Sequence, residues 1–402
     1  MKNCIIGQSG GPTAAINATL AGIIESSLNS DRTGEVLGCV NGIDGILSEN
    51  IINLSERFKE REQLNLLIQT PASFLGSCRK KLKTEEEFKK IFEVFEKYDI
   101  GYFFYIGGND SMDTVLKLSE YAKKINSDVK IIGVPKTIDN DLAVTDHTPG
   151  FGSAAKYIAS TVKEICYDSA VYDLNSVTIV EIMGRNAGWL TASAALAKES
   201  DGGMPQLIYL PEVPFDDEEF LNSVKKISER DKNVVVCVSE GIKYSDGSYV
   251  CEKLSSGETD TFGHKYLSGT AKALEILVRE KLGFKARGIE LNVCQRAASH
   301  ISSGTDIKES VECGKFAFSS AVSGQSGKMV IIRRISDSPY KTEFSLYDIS
   351  NIANKEKTVP VSYINREKNG VTQVMTDYLK PLIQGEKEVI FKDGLPYYIK
   401  RG

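Results

Sequence analysis

At 402 residues the chain is too long for one compact core, so two domains, or one large α/β unit with insertions, are expected. Its 41% hydrophobic and 26% charged content is ordinary for a folded protein, and a formal net charge of −5 excludes a general nucleic-acid binder, which carries a basic excess. Eight cysteines with no CxxC and no cysteine–histidine cluster argue for buried reduced thiols over disulfides or a metal site.

The opening "MKNCIIGQSGG" has too short an apolar run for a signal peptide, and no stretch approaches the ~20 apolar residues of a membrane span. A cytoplasmic protein without a membrane partner is expected. "KNCIIG" predicts a buried strand, followed by a turn holding Gly10 and Gly11 and a helix in "TAAINATLAGIIESSL". Backbone amides at such a helix start suit an anion, although a glycine pair equally marks a tight turn. The pattern is neither GxGxxG nor GxxxxGK[ST], which argues against a dinucleotide fold and a P-loop. "FLGSCRKKL" then supplies Arg79, Lys80 and Lys81.

A second strand, "YDIGYFFYIGG", ends on Gly107 and Gly108, and Asn109, Asp110 and Ser111 open the next helix. Ser111 or Asp110 could be a simple N-cap, but a repeated strand–Gly-Gly–helix unit favours a shared phosphate site. A third strand, "VKIIGVP", runs into "KTIDND", whose acids, with Asp146 further on, crowd one loop. A purely structural loop has little reason to gather like charges. "SVTIVEIMG" and "NVVVCVSEG" are the fourth and fifth strands, leading to Arg185 and Glu240. Apolar runs on both faces, joined by helices, describe a doubly wound parallel sheet, in which ligands bind at the carboxyl ends of strands.

"LGFKARGIELNVCQRAASH" adds Arg287 and Arg296, whose forked guanidinium suits phosphate oxygens. Asp246-Gly247, within the polar stretch "IKYSDGSYVCEKLSSGETDTFG", predicts a hairpin, and "ISNIANKEKT" near the C-terminus an exposed loop. His147, His264 and His300 match no metal-ligand spacing and are expected to be solvated or structural, and Trp189 to pack at a helix start.

"FLGSCR", "GGND", "KTIDND", "MGR", "SEG" and "LNVCQR", in that order over residues 1 to about 335, resemble the phosphofructokinase family. The resemblance implies an α/β fold of two Rossmann-like three-layer domains with mostly parallel sheets and the active site in the cleft between them. The expected division is 1–152 plus about 294–345 for the phosphoryl donor and 153–293 plus about 346–402 for fructose 6-phosphate. It implies phosphoryl transfer to the 1-hydroxyl of fructose 6-phosphate, a step of glycolysis or gluconeogenesis. Asp139 corresponds to the base, with Thr137 and Asp141 orienting the hydroxyl. Ile138, Met183, Gly184, Arg185, Glu240, Arg287, Val293 and Arg296 match sugar-phosphate positions, while Gly10, Gly11, Arg79 and Gly108 match donor positions.

In members of the family that use ATP, positions 110 and 136 are glycine; here they are Asp110 and Lys136, as in pyrophosphate-dependent members. A carboxylate ~4 Å from the α-phosphate of ATP repels it by roughly 4 kcal/mol at an effective dielectric near 20. That is on the order of a thousandfold in affinity. Inorganic pyrophosphate is therefore the expected donor, with Lys136 offsetting charge on the transferring group. An ATP-dependent 6-phosphofructokinase is the main alternative, and a noncatalytic sugar-phosphate-binding subunit the second, disfavoured because Thr137, Asp139 and Asp141 are all present. Sedoheptulose 7-phosphate is left open as a further substrate.

Mg²⁺ is the expected cofactor, with Asn109 and Asp110 the candidate ligands; Asn109 stands where the family usually has aspartate and is the weaker one. Val293 replaces a histidine or tyrosine. Ser176 replaces an arginine that reaches across a subunit boundary in bacterial ATP-using members, although a homo-oligomer, dimer or tetramer, is still expected. Ala21 and Glu25 replace basic residues of an effector site, so regulation by ADP or phosphoenolpyruvate through that site should be slight.

Overall fold

Long apolar runs at the predicted strand positions pair side by side in a computed structural model that describes residues 1–171, 173–199, 203–253 and 269–400. His264 and the end of the polar stretch before it lie outside the described residues. The chain divides into two compact units: residues 1–153, 296–356 and 384–402, and residues 154–295 and 357–383. The segment after 345, expected wholly with the second domain, is thus split. Its last part returns to the first unit, where Ile399 is buried in the core and its amide donates to Thr70 Oγ1 (3.0 Å).

The first unit carries a seven-stranded sheet in the order Tyr340–Asp348, Lys328–Asp337, Lys130–Pro135, Ile100–Gly107, Asn3–Gln8, Val36–Cys39 and Ile51–Asn53. Neighbours are parallel throughout except at the two outer pairs, which are antiparallel. Ile6, Phe104, Ile132 and Val330 face helices Ile16–Leu28 and Gly304–Val322, whereas Ile5, Phe103, Ile131 and Ile331 face Glu85–Lys97 and Asn109–Lys124. This alternation buries both faces, which is why the strands read as continuous apolar runs. Thr84 closes a capping box with Glu87 at the start of Glu85–Lys97.

Helices Ile16–Leu28 and Gly304–Val322 approach backbone to backbone. A Cβ on Gly22 would collide with the carbonyl of Val311, and one on Gly314 with that of Thr19. Neither helix backbone can give way without disturbing the sheet beneath it. Gly314→Ala is expected to cost about 1–3 kcal/mol through overpacking. Chemical denaturation would show it as a lower midpoint at unchanged slope.

The second unit has an all-parallel sheet in the order Leu207–Tyr209, Asn233–Ser239, Ser176–Ile182 and Lys285–Glu290. Helices Asp217–Ser228 and Thr270–Leu282 contribute Phe220, Val224, Leu274 and Val278 to its core. Trp189 starts a short helix, is buried, and packs on Tyr363 and Tyr378. The Asp246-Gly247 hairpin forms, with Tyr244 and Ser248 paired across it.

"ISNIANKEKT" departs from the exposed loop expected. Ile349, Ile352 and Ala353 are buried in the core, because the preceding strand ends against helix Asn109–Lys124 and leaves these apolar side chains nowhere else to pack. All eight cysteines are free thiols, and seven are buried. Among the described residues no helix is long and apolar enough to cross a membrane.

Candidate active site

In the first unit three adjacent parallel strands, Asn3–Gln8, Ile100–Gly107 and Lys130–Pro135, end together, and their C-terminal extensions carry the donor and base candidates. Lys136 follows the last of these, and its amide donates to the carbonyl of Gly107 (3.0 Å). Its side chain is only 1% exposed, and its ammonium donates to the carbonyls of Ser9 (2.8 Å) and Gly11 (2.6 Å). Burial pulls that ammonium down to about 8 from its ordinary value; Asp139 opposes the shift, Arg296 adds to it, and Asp141 and Arg79 act more weakly. A buried cation with acids and guanidinium groups within electrostatic reach is characteristic of a working site.

Gly10 is left-handed (φ 76°), and a Cβ there would stand 3.3 Å from the Lys136 ammonium. The Gly10-Gly11 turn therefore acts differently from the expected helix start. Helix Ile16–Leu28 begins five residues later, where Thr13 accepts from the amides of Ala15 and Ile16. The turn instead aims carbonyls at Lys136 and is fixed by Ser77, which donates to the Gly10 carbonyl (2.6 Å). Gly108, by contrast, does cap helix Asn109–Lys124 and leaves that helix start open to an anion.

The base loop is stiff. Thr137 Oγ1 lies 3.3 Å from Asp139 Oδ2 and accepts from the Asp139 amide (3.1 Å). Buried Asn140 takes the left-handed conformation (φ 55°) that asparagine tolerates, which turns the chain sharply between Asp139 and Asp141. Ile138 is buried beside them. Asp146, grouped with these acids in the sequence, points elsewhere, to His147 and Arg334.

Asp110 lies in the first turn of its helix, half exposed and 3.1 Å from the Lys81 ammonium. Exposure and that neighbour reduce its repulsion of a nucleotide below the 4 kcal/mol derived for a bare pair. Asn109 is engaged structurally: its amide nitrogen donates to the Lys355 carbonyl (3.0 Å), and its oxygen accepts from the Asn354 amide (2.6 Å). Both functions hold the 354–355 loop, which makes it a poor candidate ligand. Among the described residues no group of three or more histidines, cysteines or acids is arranged to hold a metal ion.

In the second unit Met183, Gly184 and Arg185 follow strand Ser176–Ile182. The amide of Met183 donates to Gln295 Oε1 (3.2 Å), and that of Gly184 to Glu240 Oε1 (3.3 Å). Gly184 is left-handed (φ 141°), and Gly241 lies against the Arg185 carbonyl so closely that any Cβ would collide with it. The Arg185 Nε is buried without a hydrogen-bond partner among the described residues, an orphaned donor suited to an oxyanion.

Two arginines expected with this group are placed otherwise. Arg296 belongs to the first unit, its guanidinium 3.4 Å from where a Cβ on Gly11 would be. Arg287 is in register with Thr178, four residues before Ile182 and so about 13 Å short of the strand end. It is exposed and lines a shallow recess with Ser176, Thr178 and Lys285. Val293 is exposed as well. Glu25, on the helix of the effector positions, pairs with Arg61 and Lys315, and Ala21 is buried.

A family model described as phosphofructokinase matches residues 3–289. The chain belongs to the phosphofructokinase family. It is 41% identical over 405 residues to a pyrophosphate–fructose 6-phosphate 1-phosphotransferase of Halomonas elongata, covering 99% of this chain and 96% of that protein. Identity to the enzyme of that name from Xanthomonas campestris is 42%, covering 99% and 95%. A crystal structure of a pyrophosphate-dependent phosphofructokinase from Nitrosospira multiformis superimposes with a TM-score of 0.90 at 39% identity, covering 99% of this chain and 96% of that one. The α/β architecture with mostly parallel sheets and the family both agree with the reading of the sequence. The residues that short motifs could not reveal in this phosphofructokinase are backbone carbonyls, those of Ser9 and Gly11 on Lys136, since every residue type carries one.

Proposed function

We propose that this phosphofructokinase transfers a phosphoryl group reversibly from inorganic pyrophosphate to the 1-hydroxyl of fructose 6-phosphate in the cytoplasm, giving fructose 1,6-bisphosphate and phosphate. The observation that carries this reading is the buried Lys136 ammonium, anchored by Ser9 and Gly11 within electrostatic reach of Asp139. Asp139 takes the hydroxyl proton as the oxygen attacks phosphorus, while Thr137 and Asp141 align the hydroxyl. Lys136, Arg79 and Arg296, with the open helix start after Gly108, offset charge on the donor. Gly10 and Gly11 hold Lys136 in place. Met183, Gly184, Arg185 and Glu240 hold the sugar phosphate in the second unit, and Arg287, exposed and in register with Thr178, stands apart from them; the chain assembles as a homo-oligomer.

Magnesium suits this donor set, because it needs only one or two carboxylates and completes its shell with phosphate oxygens and water. Asp110 would hold it, and Asn109, engaged with residues 354 and 355, would not. Bound there, the ion would neutralise charge on the donor oxygens.

Purified protein supplied with Mg²⁺ and fructose 6-phosphate should form fructose 1,6-bisphosphate from pyrophosphate, measured by a coupled aldolase assay. Equal or faster turnover with ATP would overturn the donor assignment. Inactivity with both donors would revive a sugar-phosphate-binding role.

A further inference from the structure

The more enclosed of the two described histidines is joined to the base loop by a route that the transfer reaction does not itself use. His147 is 2% exposed, and both its ring nitrogens face carboxylates: Nδ1 is 2.7 Å from Asp146 Oδ1 and Nε2 2.7 Å from Glu309 Oε2. Neither carboxylate, when ionised, can donate a proton, so two such contacts require a hydrogen on each ring nitrogen. With both carboxylates ionised, the ring is an imidazolium.

Its surroundings make the charge mutual. Glu309 Oε1 also accepts from Tyr340 Oη (2.9 Å) and Thr342 Oγ1 (2.9 Å), on the outer strand of the sheet. Arg334, on the neighbouring strand, pairs with Asp146 (3.1 Å) and with the more exposed Asp337 (3.1 Å). On the helix Gly304–Val322, Glu309 is accompanied by buried Asp306 and Cys313, and burial raises both of these above their ordinary values. His147 and Arg334 thus balance Asp146 and Glu309. Loss of the imidazole proton would leave a net negative charge in a closed core.

The same element grips the base loop. Thr148 Oγ1 donates to the Thr137 carbonyl (2.8 Å), and the Thr137 amide donates to Pro149 (3.3 Å). The Gly150 amide donates to Asp306 (2.8 Å), one turn before Glu309 on the same helix. Thr145 Oγ1 donates to the His147 carbonyl (2.9 Å) and accepts from the Ile332 amide (3.0 Å). Residues 145–150 are therefore a strap whose one end is pinned by a charge bridge and whose other end fixes Thr137.

We propose that His147 is a positioning residue: as a doubly protonated imidazolium clamped between Asp146 and Glu309, it holds the strap that sets Thr137 and Asp139 in place. This rests on the assignment of Asp139 as base. The carboxylates outweigh the effect of burial and raise the ring to about 9. A group raised from its ordinary value near 6.5 contributes stability fully below that value and loses it as pH rises through about 9.

The chain has three histidines, so His264→Gln with His300→Gln leaves His147 as the sole imidazole signal in ¹⁵N-histidine-labelled protein. That ring should show both nitrogens protonated at pH 7.5, with a midpoint near 9 that falls by a pH unit or more in Glu309→Gln. Thermal melts of the wild type should lose stability between about pH 6.5 and 9, and His147→Gln should lack that step. In the coupled assay His147→Gln should lower kcat roughly tenfold to a hundredfold, the scale of a misplaced reacting group, with KM for fructose 6-phosphate changed less than twofold. A neutral ring at pH 7.5, or a folded His147→Gln with wild-type kcat, would overturn the proposal. Wild-type inactivity with every donor would count against the function instead, while the resonance and melting data still decide the state of the clamp.

Discussion

Replacing Asp139 by asparagine should lower kcat with pyrophosphate about a thousandfold, within the range that removal of a general base produces. The asparagine amide can still stand beside the Thr137 hydroxyl, so the loop turn at Asn140 survives while the proton acceptor is lost. With the sugar phosphate held, as proposed, by Met183, Gly184, Arg185 and Glu240 in the second unit, the dissociation constant of fructose 6-phosphate should change less than about threefold. Isothermal titration and the coupled assay check the two halves separately. A variant with weak sugar binding and normal kcat would reassign Asp139 to recognition.

The second large effect is expected at Lys136. Lys136→Met keeps the length of the side chain and removes a charge that is costly to bury, so the fold should tolerate it. kcat/KM for pyrophosphate should nevertheless fall by roughly a hundredfold to a thousandfold, the scale of losing one preorganised charge stabiliser. A pH series tests the same group in the wild type. Because burial lowers the ammonium to about 8, kcat/KM for pyrophosphate, which reports the free enzyme, should fall as pH rises through that value. The limb should be absent in Lys136→Met.

Removing Asp110 together with Lys136, both to glycine, should admit ATP at least weakly, since it clears a carboxylate from the nucleotide's path. Its gain should be smaller than a bare charge pair predicts, because Lys81 already offsets Asp110. No ATP turnover at all in that variant would remove repulsion as the basis of donor choice.

Much of this is legible in the sequence. The strands "KNCIIG", "VKIIGVP" and "NVVVCVSEG" announce themselves because burial on both faces leaves no polar position to break the run. "KTIDND" is conspicuous because its acids repel one another unless each has a use. Where reading failed, the cause lay at a distance. "ISNIANKEKT" appeared solvent-exposed by composition, yet contacts with helix Asn109–Lys124 draw its isoleucines inward and commit Asn109 to hydrogen bonds with residues 245 and 246 positions away. Arg287 and Arg296 have equal claims as anion ligands in sequence; register on strand Lys285–Glu290 holds the first far from Met183, and the chain's return to the first unit carries the second to Gly11.

By itself the sequence determined the class of fold and the family and singled out the acid-rich loop at 136–141, because apolar periodicity, glycine turns and clustered acids act over a few residues. Tertiary structure alone decided that Lys136 rests on the carbonyls of Ser9 and Gly11, and that His147 meets Glu309 across 162 residues. Such partners are chosen by strand order and helix placement, which bring distant groups together in a low-dielectric interior where each buried charge must find its counterpart.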